Sequence, residues 1–237
     1  MTAGPRHGRT EPPRDPAWTP GSTVGVRRRP WAPGRLPFAV GVPTTGIELG
    51  SDRWGGRIAY PLLDPTHSTR IGVVAQPRLA ALLAVRLLAQ SCDLTVVTAD
   101  EQRWQRLAAR AHTTPFAVSR QLRRWPPDAA APPFALLIDM PDPPPPGFAR
   151  QPWSTVVHAA SAVPHTSRWW QSAHLVLAAG DAARDLAVLR PGLAAALAER
   201  TGPDDLLAVG QDFVRVFRTS LRQDEFTLLR HMDPGGS

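Results

Sequence analysis

The sequence predicts an α/β fold: a Rossmann-like, mostly parallel sheet with helices on both faces, flanked by short N-terminal and C-terminal β-hairpins. Three observations predict it. Five short, continuously apolar segments recur at Ile71–Ala75, Leu94–Thr98, Phe134–Ile138, Thr155–His158 and Leu175–Ala178. Segments with helical character separate them. Runs without a polar alternation are what strands buried on both faces look like, and parallel sheets bury both faces. Right-handed crossovers then give the Rossmann-like arrangement.

The elements follow in order. Ile47–Gly50 and Arg57–Leu62 alternate in polarity around Asp52-Arg53-Trp54-Gly55-Gly56, which is turn chemistry and predicts a hairpin. After the first apolar strand, Pro77 opens a helix that runs to about Gln90, proline being tolerated at the first helical position. Leu79, Leu82, Leu83, Val85, Leu87 and Leu88 make it apolar nearly all round, so it is expected to be buried on more than one side. Asp100 is placed to cap a helix through Arg110 whose stripe is Trp104, Leu107, Ala108 and Ala111. Further helices are expected at Pro164–Gln171, Pro191–Arg200 and Gln223–Arg230. Leu206–Val209 and Phe213–Phe217 flank Gly210-Gln211-Asp212 and predict the second hairpin. Two proline-rich stretches, 126–133 and 141–146, read as loops, because proline fixes φ and offers no backbone donor. The second is expected to be a spacer or a docking stretch.

Charge divides the chain. Residues 1–36 hold seven arginines against Glu11 and Asp15, a balance of +5, with seven prolines and few aliphatic residues. Such a segment buries too little to offset chain entropy, so it reads as a disordered tail. The predicted organisation is that tail, one α/β domain over 37–230, and a flexible 231–237. Arg27, Arg28 and Arg29 form a basic cluster suited to lipid headgroups or nucleic acid, or simply to solvent. The remaining 20 arginines face 18 acids, so the domain itself is nearly balanced and nucleic acid is not an expected partner.

Composition excludes several chemistries. All 27 basic residues are arginine, which excludes a Schiff-base lysine and the lysine of a phosphate loop. A single cysteine, Cys92, excludes an internal disulfide and a cysteine-based metal site. No run of 18 apolar residues predicts a membrane span, and no signal-peptide pattern opens the chain.

Candidate site residues are few. The first strand–loop–helix unit stands where a phosphate loop would be, but its turn, Ala75-Gln76-Pro77-Arg78, has no glycine, lysine, serine or threonine. Backbone N–H groups need glycine to wrap phosphates closely. Arg78 remains a weak candidate for meeting an anion there. Asp139 ends the third apolar strand, in FALLIDM, the position of an aspartate that would hold magnesium in a nucleotide hydrolase. Without a phosphate loop it is expected to cap loop N–H groups instead. The seven histidines show no metal-ligand spacing, and no serine lies in a nucleophile elbow. Cys92, beside Asp93, reads as a buried filler. Trp169 and Trp170 are both interaction candidates that could stack a base or a sugar; adjacent residues diverge by about 100° on a helix, so one is expected to pack inward and the other to lie at a rim. No catalytic residue, metal or cofactor is expected.

The order GIELGSDRWGGRIAYPLL (46–63), RIGVVAQPRLAALLAVRLLA (70–89) and DLTVVTADEQRW (93–104), continued by ALLIDM (135–140), PWSTVVH (152–158) and AHLVLAAG (173–180), resembles the soluble domain of the actinobacterial type VII (ESX) secretion family EccE. The 70–89 segment also resembles an FtsK/EccC-type ATPase domain that has lost its phosphate loop. The first resemblance implies a non-catalytic scaffold or accessory component. Its partners would be the secretion core subunits or their ATPase. It would be cytoplasmic, reaching the membrane only peripherally at the inner face or through partners. The second implies a degenerate nucleotide-binding module using Arg78 and Asp139. A third class, a small-molecule enzyme, would need a pocket lined by Asp139 with His158 or His165.

Overall fold

The structure is a computed structural model that describes residues 46–111, 115–122, 125–126, 133–148, 151–198, 204–230 and 232. The expectations for the tail 1–36, for Arg27, Arg28 and Arg29, and for the last residues other than Met232 lie outside the described residues.

A two-stranded antiparallel hairpin, β1 (Ile47–Ser51) and β2 (Arg57–Tyr60), comes first. The main sheet takes β3 (Thr69–Val74), β4 (Asp93–Thr98), β5 (Phe116–Ser119), β6 (Phe134–Asp139), β7 (Ser154–Ala160), β8 (Leu175–Ala179), β9 (Leu206–Val209) and β10 (Val214–Phe217). Its order is β10-β9-β8-β3-β7-β6-β4-β5. From β8 to β5 every pairing is parallel, and β9 and β10 add an antiparallel edge. The expected α/β class and mostly parallel sheet are therefore observed. The second hairpin forms as expected, but it extends the sheet, because β9 also pairs with β8.

The helices cover both faces. α1 (Pro77–Leu88) has proline at its first turn and ten of twelve residues buried. Sheet residues Ile71, Val73, Val96, Leu137, Val157 and Leu177 share its cluster. On its other side it meets β1 and α6 (Gln223–Arg230), which explains why so apolar a helix is buried from Leu79 to its end. α2 (Glu101–Ala108) is capped by the Asp100 carboxylate, which accepts from the Arg103 N–H at 3.2 Å, and buries Trp104 and Leu107. The opposite face is covered by α3 (Arg168–Gln171), α4 (Ala183–Leu189) and α5 (Ala194–Ala198), over Leu136, Val156, Val176, Ala178 and Leu207.

Several boundaries differ from the expectations. α3 occupies only the last turn of the Pro164–Gln171 prediction, because Pro164 and His165 form a turn held by the Ser167 N–H to Pro164 carbonyl bond. α4 and β5 carried no sequence expectation. β5 is an edge strand of intermediate exposure with no burial pattern to mark it. The proline-rich stretch after β6 is more than a spacer. It serves as the crossover from β6 to the parallel β7, with Pro144 buried and Met140 and Phe148 packed on the opposite face. Phe148 stacks on Trp125 at 6.2 Å.

One ion pair gathers the outlying pieces. Arg86, in the last turn of α1, forks onto Glu225 of α6, with Nε to Oε1 at 2.7 Å and an Nη2 to Oε2 bond at 2.9 Å. The same guanidinium donates to the Glu48 carbonyl of β1 and, at 2.7 Å, to the Ser220 carbonyl. Burial pulls the Glu225 carboxyl upward, but the Arg86 and Arg222 N–H bonds outweigh it and hold its pKa below the ordinary value. Arg86→Met or Glu225→Gln should each lower the unfolding free energy by about 3–5 kcal/mol, since each leaves a buried partner uncompensated. Urea unfolding measures it. A loss of only about 0–1 kcal/mol is the behaviour of a solvated pair instead.

Candidate functional site

In open α/β sheets ligands gather at the carboxyl ends of the strands, and that edge holds both sequence candidates, Arg78 and Asp139. The turn from β3 into α1 comprises only Ala75 and Gln76. Ala75 adopts φ 52° and gives its N–H to the Ala160 carbonyl at the end of β7, at 2.8 Å. Gln76 stands at the helix cap without a side-chain bond, and its carbonyl accepts from Leu79 and Ala80. Pro77 has no N–H to give. The chain therefore passes from strand to helix directly, with no loop to wrap a phosphate group. Arg78 lies exposed on the first turn of α1.

Asp139 is engaged elsewhere. Its Oδ2 accepts from the Trp104 indole N–H at 2.9 Å and from the Thr98 hydroxyl at 3.2 Å. Thr98 is its register partner on β4 and also accepts from the Asp100 N–H. Asp139 thus fastens α2 and β4 to the end of β6. The expected role, capping loop N–H groups, is replaced by these side-chain donors, because α2 delivers a buried indole whose N–H needs an acceptor. β7 separates β3 from β6, so the Ala75–Gln76 turn and Asp139 stand two strand spacings apart, about 10 Å.

The other face carries a buried polar group that the sequence did not single out as such. His158 is fully buried on β7. Trp170 donates its indole N–H to His158 Nδ1 at 2.7 Å, which places the ring proton on Nε2, the donor to the Met140 carbonyl at 2.9 Å. Trp170 also covers Gly72, the register neighbour of His158 on β3: a Cβ there would lie 2.3 Å from its ring. Trp169 packs edge-on against His158 at 5.9 Å. Both tryptophans are 0% exposed. The expectation of one at a rim fails, because β7 and β8 underlie α3 and the Arg190 guanidinium closes its end through the Trp170, Gln171 and Ala173 carbonyls. Gly72 inside a strand was the available signal for such a close approach.

The pocket required by the enzyme reading is not assembled. Residues alternate across a strand, and Asp139 faces the Trp104 side while His158 faces Trp170. His165 is exposed in the turn before α3. Among the described residues no group of three His, Cys, Asp or Glu could hold a metal ion, and no helix is long and apolar enough to cross a membrane. Cys92 is the buried filler expected, its thiol pushed up to about 12 by burial and by Asp93.

No protein-family model matches the chain, and no curated protein matches it. Solved structures do. VirB4 of Thermoanaerobacter pseudethanolicus is similar with a TM-score of 0.51 and 10% identity, over 77% of this chain and 98% of that one. The genome packaging NTPase B204 of Sulfolobus turreted icosahedral virus 2, in complex with AMPPCP, gives 0.46 and 9%, over 67% and 100%. The VirB4 likeness is one of fold: a mostly parallel α/β sheet with helices.

Two expectations follow. Asp139→Asn keeps an acceptor for Trp104 and Thr98 and should be nearly neutral to stability, whereas Asp139→Ala strands a buried indole N–H and should cost about 1–3 kcal/mol. Equal losses in the two variants, measured by chemical unfolding, would show that the charge and not the acceptor matters. The second concerns acid. Burial lowers the pKa of His158, and burial with the Arg70 charge lowers that of His174 from 6.5 to about 4. The unfolded chain then binds protons that the folded chain refuses. The His174 contribution is complete above pH 6.5 and is lost as pH falls toward about 4, and His158 acts in the same direction. His174 Nδ1 accepts from the Arg70 N–H, so His174→Asn, which keeps that acceptor, should flatten the pH dependence of the melting temperature across this window.

Proposed function

We propose that this chain is a catalytically silent domain on a P-loop NTPase-like sheet, a scaffold or accessory component working through protein contacts. The observation that carries the proposal is the two-residue turn between β3 and α1. Hydrolysis of a nucleoside triphosphate needs N–H groups around the phosphates and a cation held beside them. Here the turn spends its Ala75 N–H on Ala160, Pro77 has none, and Asp139 accepts from Trp104 and Thr98. The resemblance of the sequence to the EccE soluble domain supports a place in or beside a type VII secretion apparatus, at the inner face of the cell membrane. Its core subunits or ATPase are the proposed partners.

Calorimetry with ATP and magnesium tests the silent reading. No binding heat at millimolar nucleotide and no phosphate release are expected. Heat that disappears in Arg78→Ala would overturn it in favour of a retained nucleotide site at this edge. Affinity purification from the native host tests the partners: recovery of a secretion core subunit or its ATPase is expected, and their absence would sink the secretion role.

A further inference from the structure

We propose that the tip of the β1–β2 hairpin is a contact point for an anionic lipid surface, with Trp54 entering the headgroup layer and Arg53 and Arg57 meeting lipid phosphates. Trp54 is 74% exposed, more than any other large apolar side chain described. It is not loosely held. The Asp52 carboxylate accepts from the Trp54 and Gly56 N–H groups at 2.9 and 2.7 Å, and Asp52 and Gly56 close the turn through their backbones at 2.8 Å. Gly55 supplies the positive φ, 78°, that the reversal needs, and a Cβ there would meet nothing. The tip is a rigid turn that projects an indole into open space.

The tip carries two exposed arginines, Arg53 and Arg57, against the one carboxylate of Asp52. The Arg53 guanidinium lies over the Trp54 ring, 4.2 Å from its centre. Arg57 is exposed beside it. Asp52 turns its carboxylate onto the Trp54 and Gly56 N–H groups, within the turn. An indole with an apolar body and one donor is suited to the boundary between headgroups and acyl chains. Arginine adds attraction to anionic lipid, falling within a Debye length. Single-stranded nucleic acid is less well matched, because it needs successive stacking platforms along a basic groove, and the chain beyond residue 36 has 20 arginines against 18 acids.

The base of the hairpin is fixed independently. Ser51 and Arg218 exchange backbone bonds at 3.0 and 2.9 Å, and Arg86 holds the Glu48 carbonyl. Changes at the tip therefore leave the fold intact, and an unchanged melting temperature for Trp54→Ala controls for this. The full chain is sedimented with vesicles of phosphatidylcholine containing phosphatidylglycerol, and with vesicles of phosphatidylcholine alone, without nucleotide. Binding to the anionic vesicles is expected. It should weaken with salt and fall roughly tenfold in Trp54→Ala, as loss of a partly inserted indole requires. Arg53→Gln with Arg57→Gln should remove much of the difference between the two vesicle types. Equal binding of Trp54→Ala and the parent chain would overturn the proposal, as would no binding by the parent. So would Trp54-dependent binding to a single-stranded oligonucleotide without binding to vesicles. The silent-domain reading stands apart from these outcomes, since it is tested with nucleotide and without lipid.

Discussion

A close approach at Gly72 constrains the centre of the main sheet, and much of the architecture depends on it. Only a residue without Cβ lets the Trp170 ring settle onto the centre of β3. That contact positions the indole N–H against His158, which in turn holds the Met140 carbonyl where the chain leaves β6. α3 is a single turn, too short to be stable by its own hydrogen bonds. It is held by what Trp169 and Trp170 bury and by Arg190 at its carbonyl end. Filling Gly72 would displace α3 from this part of the sheet.

The opposite face is organised by the same logic with different groups. There Asp139 meets Trp104, so each face has an indole N–H satisfied by a side chain from a neighbouring strand. In a nucleotide hydrolase the carboxylate at the end of such a strand would be turned to a bound cation. Here it serves the α2–β4 junction. The turn after β3 follows suit: with two residues and a proline it brings α1 close onto the sheet, favouring packing over ligand. These substitutions are mutually consistent, and such agreement between levels is what specifies a fold.

The sequence made the sheet legible because both-face burial leaves continuous apolar runs, and five of the eight strands of the main sheet are such runs. α1 was legible from Pro77 and its all-round apolarity, and α6 from its span alone. β5 was not, since an edge strand of intermediate exposure carries no pattern of its own. The candidate edge was readable as missing its phosphate loop, because absent glycine and lysine are local facts. The partners of Asp139 and His158 were not, since Trp104 and Trp170 lie 35 and 12 residues away and only the packing brings them together. Adjacent tryptophans on one turn suggested an inside and a rim. An angular argument on an isolated helix cannot include a second layer that closes over both.

The exclusive use of arginine also acquires a physical reason at particular sites. Arg86 binds two carboxylate oxygens and two carbonyls at once, which needs several donors in one plane. Arg190 is 7% exposed and gives its Nη1 and Nη2 donors to helix-end carbonyls, with burial lowering its pKa. A lysine so buried would shift toward its neutral form more readily, while the guanidinium keeps its proton. Arg53 uses the same planarity in the opposite setting, lying over an indole at the surface. The guanidinium plane thus serves two ends of one hairpin: at the base it locks the strand to α1 and α6, and at the tip it lies over an exposed indole. Rigidity at the base makes the tip more than an exposed side chain, because a partner meeting Trp54 would not first have to order the turn that presents it.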